Sequence, residues 1–150
     1  MKNKLLSLVY VGLFCAALSA CSSGTTVSPI PVSITGLYTG TFENASGTLN
    51  GTATFNLVQG TDGTSVSGNA IFDSEDANCL VNGTITSGTI NGFSITLEVS
   101  QASAATNTSG SVNVQLTQSN NGNNLDGTYV SNSSNCSSES GSGTISLTRA

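Results

Sequence analysis

The side chains of this chain that could carry chemistry are eight carboxylates and four cysteines, because the sequence has no histidine and only three basic residues. Without histidine there is no imidazole to activate a serine nucleophile or to bind a metal ion. Two carboxylates can hydrolyse a glycoside, but here the acids occur in polar segments that lack aromatic residues to hold a sugar. A formal net charge of −5 argues against nucleic acid, whose phosphates need a basic surface. We therefore expect no enzymatic activity, no cofactor and no nucleic-acid partner.

The first twenty residues have the features of a secretory signal peptide. Lys2 and Lys4 give a basic start, residues 5–17 form an apolar run, and small residues follow. The apolar run is short for a membrane-spanning helix, and this combination is typical of a signal peptide. An uncleaved membrane anchor is the alternative interpretation.

The residues Leu18-Ser19-Ala20-Cys21 resemble the lipobox of bacterial lipoproteins at every position. The resemblance implies that residues 1–20 are removed and that Cys21 then carries lipid. Ser22, rather than aspartate, at the second mature position implies an outer-membrane location in the cell envelope of a Gram-negative cell, on the periplasmic or the surface face. Residues 21–33 contain both prolines of the chain and have linker composition, so they are predicted to form a lipidated tether.

The remaining residues, 34–150, repeat one pattern in which a glycine is followed by apolar residues at every second position. Such alternation predicts half-buried strands. Eight strands joined by short loops favour an all-β fold, an eight-stranded antiparallel up-and-down β-barrel. A β-sandwich and a β-solenoid are the alternatives. The predicted strands are 34–43, 48–58, 65–72, 79–86, 89–99, 109–118, 125–131 and 142–148.

Three segments resemble small lipocalin- or streptavidin-type barrels: the Gly-x-Tyr-x-Gly opening at Gly36–Gly40, the Leu125–Tyr129 strand and the Gly143–Leu147 end. The resemblance implies the same up-and-down barrel architecture. Streptavidin-type biotin sites depend on tryptophan, and this chain has none, so biotin binding is not implied.

The alternation also assigns side chains to the barrel interior, together with glycines that let neighbouring aromatic rings pack closely. Gly92 breaks the alternation, which predicts a β-bulge there. The pairs Asp62-Gly63, Ser87-Gly88 and Asn121-Gly122 predict turns. The predicted interior set is Ile34, Tyr38, Phe42, Leu49, Ala53, Phe55, Leu57, Val66, Ala70, Phe72, Val81, Ile85, Phe93, Ile95, Leu97, Val99, Val112, Val114, Leu116, Leu125, Tyr129, Ile145 and Leu147.

Cys79 and Cys136 remain as a pair once Cys15 leaves with the signal and Cys21 carries lipid. In an exported domain an even pair of cysteines predicts a disulfide bond. The meander places both at one end of the barrel, which agrees with such a bond. A redox-active pair is the alternative, although no CxxC spacing or neighbouring base supports it.

Most carboxylates fall at this same end, where the loops 1–2, 3–4, 5–6 and 7–8 lie. We call it the distal end, because the tether enters the barrel at the opposite, tether end. Asp73, Glu75 and Asp76 are candidate ligands for Ca²⁺. Glu75, Asp76 and Glu139 are candidate residues for contacting a basic protein partner. The alternative is a solvated rim that keeps a protein of low charge in solution.

These features predict a membrane-anchored envelope lipoprotein whose barrel is a non-enzymatic binding or inhibitor-like module. Its partner would be a protein on the loops or a small apolar ligand inside the barrel. A structural or surface-coat lipoprotein without a discrete ligand site is the alternative from a different class.

Lipidation can be tested with the substitution Cys21→Ala. This variant is expected to stay unprocessed or to leave the membrane fraction, because the acyl chains that would hold it there are attached through the Cys21 thiol. Palmitate labelling and membrane fractionation measure the outcome. The hypothesis fails if the variant is labelled as strongly as the parent protein.

Overall fold

Eight antiparallel strands close into a barrel with up-and-down connectivity, as predicted. A computed structural model describes residues 31–48, 50–74, 81–102, 109–132 and 141–150. Each strand pairs with the next along the chain, and the first strand also pairs with the last. This last pairing distinguishes the barrel from a sandwich or a solenoid. The strands are β1 (Gly36–Asn44), β2 (Asn50–Gln59), β3 (Val66–Ser74), β4 (Val81–Asn91), β5 (Ser94–Ala102), β6 (Ser109–Ser119), β7 (Asn124–Ser131) and β8 (Ser142–Arg149).

The interior is filled by apolar side chains from all eight strands and from the segment that precedes β1. Twenty apolar residues are buried in the described part of the chain, and all of them belong to the predicted interior set. Of the other predicted members, Leu49 and the side chain of Val81 lie outside the described residues. Outward positions are mostly threonine, serine and asparagine, so the strands present their polar face to the surroundings.

The hairpin between β4 and β5 differs from the prediction. Asn91 pairs with Ser94, so Gly92 and Phe93 form a two-residue turn where a bulge was predicted. Gly92 has a φ of 61°, which fits the first central position of a type II′ turn. The prediction that Phe93 points inward is wrong, because the turn takes this residue out of the alternating strand and leaves it half-buried.

The bulge lies further back in β4. Ile85 pairs with Val99 and Ser87 pairs with Glu98, so Thr86 is the extra residue. The turn predicted at Ser87-Gly88 is therefore wrong, since the strand continues through both residues. Because of this extra residue, the side chains of β4 that face inward have odd residue numbers before the bulge and even residue numbers after it. The turns predicted at Asp62-Gly63 and Asn121-Gly122 are confirmed.

The tether end of the barrel is closed by the residues that precede β1, and Arg149 holds them in place. Its Nη2 donates to the carbonyl of Ser33 at 2.8 Å and its Nη1 to that of Thr35 at 2.9 Å. The guanidinium also donates to the hydroxyl of Tyr38 at 2.6 Å and to the carbonyl of Gly122 at 3.1 Å. Its central carbon lies 5.1 Å from the centre of the Tyr38 ring. One cation thus joins β1, β8, the entering chain and the β6–β7 connection.

Two glutamines complete this closure. The side-chain amide of Gln118 donates to the carbonyl of Val32 at 2.6 Å, and the side-chain carbonyl of Gln59 accepts the backbone N–H of Ile34 at 3.1 Å. Ile34 is only 1% exposed, so its apolar side chain fills the interior at the tether end of the barrel. The chain therefore enters the folded domain at this end, and the carbonyls of Val32 and Ser33 are already bound to it.

The hydroxyl of Tyr38 makes the stability of the closed tether end depend on pH. Its hydroxyl donates to the carbonyl of Gly122 at 2.9 Å while accepting from Arg149. Burial raises the pKa of the Tyr38 phenol above its ordinary value, although the Arg149 guanidinium acts in the opposite direction. A raised pKa means that the folded state holds this proton more tightly than the unfolded chain. The contribution to stability is therefore present below about pH 10 and falls at higher pH.

Arg149→Ala is expected to lower the free energy of unfolding by about 2–3 kcal/mol, because several hydrogen bonds from a charged donor are lost together. Arg149→Lys keeps the charge but not the planar fork of donors, so it should recover only part of this loss. Urea unfolding followed by circular dichroism measures both variants. Full recovery by lysine would show that charge alone, rather than the hydrogen-bond geometry, stabilises this end.

Candidate functional site

Among the described residues, two open depressions lie at the distal end, on either side of Glu43. The first has a volume of about 640 Å³ and is bordered by β1, β2 and β3, with Glu43, Asn50 and Asp73 among its lining residues. The second, of about 350 Å³, is bordered by β7, β8 and β1, with Tyr129 and Glu43 among its lining residues. Since Glu43 lines both, the two depressions form one candidate surface, which we call the distal saddle.

Aromatic rings form the base of the distal saddle. Phe42 lines the first depression and Tyr129 the second, and their ring centres are 5.8 Å apart in an edge-to-face contact. Phe72 packs against Phe42 at 5.6 Å and against Phe55 at 5.4 Å. Such edge-to-face pairs stabilise a core beyond the apolar area that they bury. The saddle therefore rests on a rigid aromatic layer of the interior.

Glycines make room for these rings. A Cβ atom on Gly51 would lie 2.8 Å from two ring carbons of Phe42, and one on Gly143 would lie 2.6 Å from a ring carbon of Tyr129. Each Cβ would also collide with a carbonyl oxygen of the neighbouring strand. The aromatic layer thus depends on side-chain-free positions opposite the rings, as the sequence pattern predicts.

The carboxylates of the distal saddle are separate from one another. Glu43 and Asp73 are exposed on β1 and β3, with β2 between them. Two strand spacings place their backbones about 10 Å apart. Arg149, which the sequence shows to be the only base after residue 4, lies at the opposite end. The saddle therefore presents a diffuse negative field.

Of the other described carboxylates, Asp62 and Asp126 lie towards the tether end and Glu98 lies in the middle of β5. Asp62 accepts hydrogen bonds from the backbone N–H groups of Thr64 and Ser65, each at 2.8 Å, in the β2–β3 turn of the tether end. These bonds, that from Ser65 first, lower the pKa of the Asp62 carboxyl. Asp126 accepts from the hydroxyl of Ser146 at 2.5 Å on the outer face of β7. Both carboxylates have structural partners and lie away from the distal saddle.

Several predicted site residues lie outside the described ranges, so the corresponding predictions stay predictions. Asp73 is the one described member of the candidate Ca²⁺ set. Within the ranges described, no group of three or more His, Cys, Asp and Glu side chains could hold a metal ion. The same ranges contain no helix with the length and apolar character needed to cross a bilayer. The predicted residues outside these ranges are Cys21, Glu75, Asp76, Cys79, Cys136 and Glu139.

Comparison of the chain with protein-family models, with curated proteins and with solved structures finds no match.

Local sequence patterns assign no role to Arg149, Gln59 and Gln118, which close the tether end. The sequence does indicate a role for Arg149, because a single basic residue at the end of the last strand, in a barrel without other cations, suggests that its side chain binds specific groups within the fold. The glutamines carry no such signal, since Gln118 occupies an inward position that the alternation would give to an apolar residue.

The packing of the distal saddle can be tested at Gly143. Gly143→Ala is expected to destabilise the barrel by about 1–3 kcal/mol, because the new methyl group would collide with the Tyr129 ring and the Glu43 backbone. Gly141→Ala is the matched control, because its Cβ would meet no atom of the described residues within 4 Å. Thermal unfolding compares the two. Equal melting temperatures would show that the ring moves aside without cost.

Proposed function

We propose that this protein is a lipid-anchored envelope protein whose barrel is a non-enzymatic binding module. Its ligand is a protein with a basic surface, and the distal saddle is the binding surface. The observation that carries this proposal is the contrast between the two barrel ends: one is closed by the entering chain, and at the other the described residues border two depressions joined at Glu43.

The filled interior favours a protein over a small apolar ligand. A barrel that carries a ligand inside needs unfilled volume along its axis. Here the central positions are occupied by side chains such as Phe55, Leu97 and Val114, each 0% exposed. A ligand inside would have to displace part of the core, whereas the distal saddle can be reached without changing the packing.

The charge distribution favours a basic partner. Glu43 and Asp73 border the first depression, and Arg149 is bound at the opposite end by carbonyl oxygens and the Tyr38 hydroxyl. A field of one sign steers an oppositely charged protein towards the surface and increases its association rate. The buried rings of Phe42 and Tyr129 support this surface from the barrel interior.

The direction of the anchor supports the same assignment. The carbonyls of Val32 and Ser33 are fixed to the tether end by Gln118 and Arg149. An anchor at Cys21 would therefore hold the barrel by this end, and the distal saddle would point away from the membrane. A partner could then approach the saddle without obstruction by the bilayer.

The proposal is tested with the soluble domain, residues 22–150, used to capture partners from envelope and host extracts. Glu43→Gln with Asp73→Asn is expected to weaken binding of a captured partner about three- to ten-fold at low salt, mainly through the association rate. Surface plasmon resonance at two salt concentrations measures this loss.

The matched control is Asp62→Asn with Asp126→Asn, which removes the same charge at the tether end and leaves an acceptor at both positions. This control is expected to change affinity less than two-fold, since these residues lie at the far end of the barrel. Equal losses in both pairs would mean that overall net charge, rather than the distal saddle, determines binding. If the Glu43 and Asp73 variant binds the partner as tightly as the parent protein does, these acids form only a solvated rim and take no part in binding.

A further inference from the structure

The outer face of the barrel is polar, and its few large apolar side chains are unevenly placed. Five large apolar side chains are exposed among the residues that the structure describes, and three of them lie at the tether end. Ile71 lies in the middle of β3, and Val130 lies near the distal end of β7. Their exposed fractions are 45% for Val32, 46% for Leu37, 47% for Val58, 38% for Ile71 and 47% for Val130.

Leu37 and Val58 form one apolar patch on the outside of β1 and β2. Leu37 pairs with Asn56, which places Val58 at the diagonal position two residues nearer the tether end. Diagonal neighbours on one face of a sheet are about 7–8 Å apart, within reach of aliphatic side chains. Val32 lies across the same end, where Gln118 of β6 holds its carbonyl. The three residues thus flank the point at which the chain enters the barrel.

The covalent connection brings this end close to the membrane. Eleven residue steps separate Cys21 from Val32, and even a fully extended chain of that length spans no more than about 40 Å. A lipidated Cys21 would therefore keep the tether end within reach of the bilayer at all times. Apolar side chains held at that distance can contact lipid without the entropic cost of bringing a free protein to the surface.

We propose that the tether end docks on the lipid surface through Val32, Leu37 and Val58, so that the barrel stands on the membrane in one orientation. This inference rests on the lipid anchor of the proposed function. The contact is shallow, because Asp62 and Asp126 lie at the same end and their carboxylates must stay in the hydrated headgroup layer. It involves the headgroup and upper acyl region, the depth that interfacial apolar side chains reach.

The chain contains no tryptophan, so single substitutions provide unambiguous fluorescent reporters. The lipidated protein carrying Val58→Trp, Ile71→Trp or Val130→Trp is reconstituted into phosphatidylcholine vesicles that contain brominated lipid. Val58 and Val130 are matched, because each is 47% exposed on an outer strand face. Quenching is expected to be at least about two-fold stronger at position 58 than at position 130, with position 71 between them.

A second substitution separates docking from mere tethering. In the Val58→Trp protein, Leu37→Thr is expected to reduce quenching about two-fold, because it removes half of the apolar patch. Ile71→Thr, the matched control, should leave quenching unchanged. Circular dichroism of each variant verifies that the barrel is folded.

The outcomes separate this inference from the lipid anchor itself. If the protein does not float with the vesicles, the anchor of the proposed function fails. If it floats but positions 58 and 130 are quenched equally, or Leu37→Thr changes nothing, the docking proposal is overturned while the anchor stands.

Discussion

The pairing of β1 with β8 is the constraint on which the rest of this structure depends. It converts a row of hairpins into a closed surface, so that none of the eight described strands is an edge strand. Closure also defines an inside, which the apolar residues fill, and two ends that differ. At one end Arg149, on the last strand, binds the chain that leads into the first strand. The distal saddle lies at the opposite end, so its position follows from the same closure.

Much of this fold could be predicted because a strand has a simple periodicity. Alternation in β2, β6 and β8 identifies the inward residues directly, and glycines on the inward face, such as Gly143 beside Tyr129, agree with the tight packing of a small barrel. The errors in β4 have the same physical origin. The triplet Gly-Thr-Ile occurs at 83–85 and again at 88–90. Strict alternation would give an even spacing between the two triplets, so the observed spacing of five residues fits either a turn between two strands or a bulge within one strand.

The structure adds what alternation cannot reveal. Hydrogen bonds from Arg149 and Gln118 to backbone carbonyls depend on where the chain crosses the barrel end, and no local pattern encodes that path. The distal saddle could not be predicted from alternation either, because its two depressions arise from the relative position of β7, β8, β1, β2 and β3. The sequence indicated which end is acidic, whereas the separation of Glu43 from Asp73 across β2 required the strand register.

The contact between Arg149 and Ser33 also constrains how the protein can fold. These residues are 116 positions apart, and Tyr38 and Arg149 are 111 apart, so the bonds that seal the barrel are among the least local in the chain. Contacts between residues so far apart in sequence form late in folding, because the intervening chain must lose conformational entropy before these contacts can stabilise the folded state. A chain that emerges from its amino terminus brings β8 across last. The barrel therefore seals only when its last strand has reached its first.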